Sequence, residues 1–292
     1  MCAAPRYSHP PYCYPDLTMK RLLQLGLSLL VATTLSAGTF EKLPETVIKG
    51  RLEKYADTNR KRETELKVLF TDAGCGDLTE QRVPKLLPNV VCVLPGETDS
   101  TIIVGAHYDK VAPGDGVVDN WSGASLLPSL FESLHGQPRR HTFIFIGFTS
   151  EEDGLLGSKY YVSHLPAEKL AKTEAMINMD SLGLTPTKVW VSHSDRLLLS
   201  DLEHVAQQFK LPLEGVNVED VGTSDGESFA KKKIPRITIH SVTQETLPIL
   251  HTARDTMDAI KPDDYYDSYR LIAAYLVYLD TSLESKPAGN SK

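Results

Sequence analysis

At 292 residues, with 41% hydrophobic and 24% charged side chains, the chain has ordinary globular composition, which excludes a disordered or fibrous architecture. That length holds one large α/β domain or two small ones. A formal net charge of −7, with Lys231-Lys232-Lys233 as the densest basic run, would repel phosphate backbones, so nucleic acid is excluded as a partner.

Residues 1–18 carry Cys2, Cys13 and scattered Tyr and Pro in no periodic order, and read as an upstream extension of uncertain start. Met19-Lys20-Arg21 then precedes an apolar run, Leu22 to Val31, that leads into small residues around Ser36-Ala37-Gly38. A positive start, a short apolar run and a small-residue exit make residues 19–38 a secretory signal peptide, too short to remain as a membrane anchor after cleavage. The expected location is therefore secreted or periplasmic. In an oxidising compartment the two cysteines left after cleavage, Cys75 and Cys92, are expected to pair. A single domain is expected over residues 39–285, because no Gly/Ser linker divides it, with 286–292 as a flexible tail.

Within that domain, charged and apolar residues from Glu45 to about Lys61 alternate at helical spacing and predict a leading amphipathic helix. Leu66 to Phe70 and Val90 to Leu94 read as an antiparallel edge pair of strands. Thr101 to Val104 and Thr142 to Ile146 are continuous β-branched or aromatic runs, as strands covered on both faces should be. Helical stretches are predicted at Ser122 to Leu134, Gly154 to His164, Asp195 to Phe209 and Pro262 to Leu283, with Pro128 expected to kink the first. In the third, Leu198, Leu202, Val205 and Phe209 form one apolar stripe. Further strands are predicted at Ala175 to Asn178, Lys188 to Val191 and Arg236 to His240. The alternation predicts an α/β fold: a three-layer sandwich with a mostly parallel, mixed central sheet and helices on both faces.

The chemistry-bearing residues gather at predicted strand ends. One strand ends in His107-Tyr108-Asp109, the next in Glu151-Glu152, and a third in Asp180, while Asp119-Asn120 lies on an acidic loop. In open α/β sheets ligands bind at the carboxyl ends of strands. His107 and Asp109 share a face of an extended segment, so the carboxylate can fix the tautomer of the imidazole, as happens beside metal-binding histidines. Alone, such a His is more often structural and a Glu-Glu pair more often a solvated charge cluster; their convergence points to metal chemistry.

Five blocks resemble those of the M28 family of zinc aminopeptidases: His107-Tyr108-Asp109, Asp119 to Ala124, Glu151 to Ser158, Asn178-Met179-Asp180 and His251 to Thr256. The resemblance covers about 150 residues in the family's order and implies a zinc-exopeptidase-like fold acting on peptide substrates with a free N-terminus. It implies two Zn2+ ions, with Asp119 bridging them, His107 and Asp180 completing one site, and Glu152 and His251 the other. Glu151 is then the general base, and Asp109 orients His107. Three nitrogen and carboxylate ligands per ion suit zinc and leave a position free.

Two departures stand out. Family members often carry a Tyr where Leu250 precedes His251, and Gly226 stands where a Ser-Asp-His segment has its His. Glutaminyl-peptide cyclotransferases share the scaffold and are the nearest alternative. A serine hydrolase built on Gly222-Thr223-Ser224-Asp225-Gly226 with His240 or His251, and a non-catalytic binding module, are weaker ones. Asn120-Trp121-Ser122 reads as an accidental glycosylation sequon. His135, His141, His164, His193 and His204 read as mostly surface residues without partners, and the tyrosines of the last helix as packing. The preferred N-terminal residue and the oligomeric state stay open at this level.

Overall fold

The computed structural model describes residues 40–218 and 222–284. The upstream extension, the signal peptide and the tail from 286 lie outside these residues. The chain begins with α1 (Glu45–Leu52) and α2 (Asn59–Asp72), followed by β1 (Leu78–Gln81), β2 (Asn89–Leu94) and β3 (Thr101–His107). A π-turn at Val117–Trp121 runs into α3 (Ser122–His135) and β4 (Thr142–Phe148). Next come α4 (Leu156–Ser163), α5 (Ala167–Lys172), β5 (Thr173–Met179), β6 (Lys188–Val189) and α6 (Arg196–Phe209). The rest is β7 (Glu214–Gly215), α7 (Gly226–Ala230), β8 (Arg236–His240) and α8 (Pro262–Ser282).

The strands form one sheet in the order β1-β2-β4-β3-β5-β8-β6-β7. Its centre, β4-β3-β5-β8, is parallel; β2 joins it antiparallel on one side and β6 on the other. This is the predicted three-layer α/β sandwich, and the alternation of β3 shows how it is built. Ile102, Val104 and Ala106 face the larger core with α1, α2, α3, α6 and α8, while Ile103 faces a smaller one with Tyr161, Val162 and Phe229 from α4 and α7. The tyrosines of α8 pack as expected, and the hydroxyls of the buried ones are satisfied: Tyr265 bonds Ser125 and Ser122, Tyr269 bonds Ser133, and Tyr275 bonds the Leu198 carbonyl. Pro128 lies within α3, which remains a single helix across it.

Several predicted elements differ. The leading helix is two, because the chain breaks at Glu53–Thr58 and restarts where the Thr58 hydroxyl accepts the Lys61 amide. Leu66 to Phe70 is helical, not a strand: Leu66, Leu69 and Phe70 sit three and four apart and form the buried face of α2. The true edge strand is β1, paired antiparallel with β2 (Leu78 opposite Cys92). Cys75 and Cys92 form a disulfide that ties the end of α2 to β2. Phe209 leaves the stripe of α6 and is exposed. His141 is wholly buried, its Nδ1 3.2 Å from Asp280 Oδ1, and His193 stacks on Trp190 with its Nδ1 3.4 Å from Glu227, so neither is an unpartnered surface residue.

Candidate metal centre

Parallel strands end at one edge of the sheet, and this brings the side chains named from sequence together. His107 is the last residue of β3, Glu151 and Glu152 follow β4 after two residues, and Asp180 follows β5. Asp119 comes from the π-turn ahead of α3, and His251 from the loop after the Leu247–Ile249 turn. His107 Nε2 lies 3.2 Å from Asp119 Oδ1 and 3.7 Å from Asp180 Oδ1. On the other side, His251 Nε2 lies 3.0 Å from Asp119 Oδ2 and 3.0 Å from Glu152 Oε2. The two oxygens of Asp119 thus face two separate donor sets, His107/Asp119/Asp180 and Asp119/Glu152/His251, each clustered within 4.8 Å.

These donors fit divalent cations. Ligands about 2.0–2.1 Å from a tetrahedral zinc ion lie roughly 3.3 Å from one another, close to the separations here. Glu152 Oε1 is buried without a hydrogen-bond partner among the described residues, a state that is costly for a carboxylate unless a cation meets it. Charge balance agrees, since five carboxylates (Asp109, Asp119, Glu151, Glu152 and Asp180) crowd two imidazoles. Burial, with added repulsion from Asp225, Asp180 and Asp119, pushes Glu151 up to about 10. Burial also lifts Glu152 and Asp180, whereas hydrogen bonds to His107 and His251 overcome it and hold Asp119 well below the carboxylate range. Burial alone would depress His107, but the surrounding carboxylates outweigh it and raise it well above its ordinary value. Hydrogen bonds to Asp119 and Glu152 push His251 up to about 10.

The supporting contacts refine the sequence reading. His107 Nδ1 is 3.2 Å from the Asp109 carbonyl and 3.5 Å from its carboxylate. That carboxylate mainly serves the next loop, where it accepts the amides of Glu151 (3.1 Å) and Glu152 (3.2 Å). Asn120 is buried: it donates to the Met179 carbonyl and accepts from Gly123 and Ser181, tying the Asp119 turn to the Asp180 loop. Gly123 permits this, because a Cβ there would come within 2.6 Å of Asn120 Oδ1. Asn89, unnoticed in the sequence, does the same for the glutamates, accepting from Thr149 N and donating to the Gly157 carbonyl. Polarity at the start of an apolar strand was its one signal.

Ser224 is buried with its hydroxyl on Thr238, and both imidazoles considered for it are engaged elsewhere. His240 Nε2 donates to the Val216 carbonyl and Nδ1 accepts the Val242 amide, while His251 faces Asp119 and Glu152. Among the described residues, neither imidazole is left to serve Ser224 as a base. The candidate metal-ligand side chains instead open into a pocket of about 250 Å³ whose apolar walls include Leu155, Trp190, Val218, Val242 and Leu250.

The sequence profile of peptidase family M28 matches residues 89–276. The chain belongs to peptidase family M28. Among curated proteins it is 29% identical to aminopeptidase YwaD of Bacillus subtilis over 198 residues, which is 64% of this chain and 42% of that protein. Among solved structures it is similar to BSAP, a zinc aminopeptidase from Bacillus subtilis (25% identity, TM-score 0.60, 65% of this chain and 49% of that one). It shares its fold with an Acidobacteriales bacterium glutaminyl cyclase (19% identity, TM-score 0.66, 81% of this chain and 93% of that one). The M28 chain described here spans less than half the length of the curated relatives YwaD and leupeptin-inactivating enzyme 1.

Proposed function

We propose that this chain is a zinc-dependent aminopeptidase that removes N-terminal residues from peptides at a two-ion centre, with Glu151 as general base. The observation that carries this reading is the pair of donor sets sharing Asp119 in a pocket that combines these polar side chains with apolar walls. Membership of the M28 family and the similarity to a zinc aminopeptidase support it. His107, Asp119 and Asp180 would hold one ion; Asp119, Glu152 and His251 would hold the other. When bound, zinc supplies Lewis acidity that polarises a carbonyl and makes water more acidic.

The chain's own residues do the rest. Glu151 lines the pocket with its Oε2 3.9 Å from His107 Nε2; it clusters with His107 and Glu152 but stands outside the two sets that share Asp119. Positive charge held at the two donor sets favours the ionised form that burial disfavours in Glu151, and its carboxylate then takes the proton of the attacking water and passes it to the leaving amine. The surplus of carboxylates attracts the substrate's terminal ammonium, and the walls formed by Leu155, Trp190, Val218 and Leu250 receive an apolar side chain and exclude water from it.

The test combines zinc analysis with a panel of aminoacyl and N-terminal glutaminyl substrates on the wild type and Glu151→Gln. Both proteins should bind near two zinc ions per chain, and the variant's kcat should fall about 10²- to 10⁴-fold. Apolar residues should be released faster than acidic ones. Cyclisation of N-terminal glutamine with no release of amino acids would replace this reading with a cyclotransferase, for which the shared fold provides the scaffold.

A further inference from the structure

Helix α2 lies ahead of the family-matched residues, yet its Arg62 reaches the segment that delivers Asp119. The Arg62 side chain is completely buried, with its guanidinium 5.7 Å from the Trp121 ring. Nε donates to the Ala56 carbonyl at 2.9 Å, and Nη2 donates to the carbonyls of Gly116 (2.9 Å) and Asp115. Nη1 reaches toward the Tyr108 carbonyl at 3.4 Å, on the strand end that carries His107.

Asp255 grips the same segment from the other side. Its Oδ1 accepts the Val118 amide at 2.7 Å and its Oδ2 accepts the Asp119 amide at 3.1 Å, while its carbonyl accepts the Asp115 amide at 2.8 Å. A cation therefore meets the carbonyls of 115 and 116, and an anion meets the amides of 118 and 119. Each charge faces the end of the peptide dipoles that it stabilises, and charge-assisted bonds of this kind are short and directional. Neither residue lines the pocket or belongs to a donor set.

We propose that Arg62 and Asp255 are paired positioning residues that set the backbone of the bridging Asp119 and so hold its two oxygens in balance between the two ion sites. The inference rests on the two-ion reading above. It follows from the shared carboxylate: Oδ1 and Oδ2 lie 3.2 Å and 3.0 Å from two different imidazoles, so a small displacement of the turn worsens at least one site. Asn120 and Trp121 are buried in the same turn.

The test is zinc affinity, measured by competition with a chromogenic chelator, on wild type, Asp255→Asn and Arg62→Lys, with folding checked by circular dichroism. Asp255→Asn keeps the shape but replaces one acceptor with an NH2 facing an amide; Arg62→Lys keeps the charge but loses the fork. Both should weaken zinc binding about 10- to 100-fold, with the two affinities becoming unequal. A merely structural role would lower the melting temperature in chelator while leaving both affinities within twofold of wild type, and that result overturns the proposal. If Arg62→Lys does not fold, Asp255→Asn alone decides by the same criterion. A wild-type chain that binds no zinc would instead remove the metal-centre reading, and this inference with it.

Discussion

Removing the Cys75–Cys92 bridge is the clearest test of how the described domain is held together. The bond closes a loop of sequence separation 17 and joins the end of α2 to β2, at the margin of the sheet. Loop-closure entropy gives about 3 kcal/mol for a loop of this size, all of it acting through the unfolded chain. Cys92 is wholly buried, so Cys75→Ala/Cys92→Ala also leaves a small void worth about 1 kcal/mol. For a domain of this length 1 kcal/mol shifts the melting temperature by about 2–4 °C, so the double variant should melt roughly 8–16 °C below wild type. Thermal unfolding followed by circular dichroism in non-reducing buffer measures this. Urea unfolding should show a steeper m-value in the variant, because its unfolded chain is less compact. A melting temperature within about 2 °C of wild type, with an unchanged m-value, would refute the reasoning.

Two further outcomes concern buried polar groups. Asp280 accepts the amides of Arg140 and His141 and the His141 ring, and these bonds overcome its burial to hold it below the ordinary 3.8. Asp280→Asn should cost about 1–3 kcal/mol at pH 7. Because the folded value is depressed, the contribution is complete above the unfolded value of 3.8 and fades as pH falls through the folded one, so the urea midpoints of wild type and variant should converge in acid. A gap that stays constant from pH 7 to about pH 3 contradicts the assignment. Asn89→Leu should strand the buried Thr149 amide and take a side-chain donor from the Gly157 carbonyl, which also belongs to the ladder of α4, at about 1–3 kcal/mol in urea unfolding. A loss below about 1 kcal/mol would mean that these groups find other partners.

The central strands were legible because β3 and β4 are covered on both faces and are apolar along their middles. β1 was not: Leu78–Gln81 is a short, mostly polar edge whose strand character comes from pairing with β2. Leu66 to Phe70 satisfied the pattern of a strand over five residues and that of a helix over fourteen, and only the longer window separates them. His141 and His193 looked unpartnered because Asp280 and Glu227 lie far along the chain. The candidate ligands were visible as blocks, since strand ends gather chemistry in this class of fold. The groups that brace them were not. Asp255 sat in plain view inside His251 to Thr256, but its contact with Val118 and Asp119 spans more than a hundred residues. Arg62 offered one clue, a charge on the stripe that continues through Leu66, Leu69 and Phe70.

Three backbone positions at the site, Ser150, Ser181 and His251, have φ of 49°, 57° and 56°, the left-handed region that non-glycine residues avoid. Each costs about 1 kcal/mol or more, and each is either a candidate ligand or the immediate neighbour of a carboxylate at the candidate centre. Selection for heat resistance alone would therefore drive Ser150 and Ser181 toward glycine or asparagine, relaxing the turns that aim Glu151 and Asp180. Thermal hardening and catalytic aim would then pull the same two serines in opposite directions.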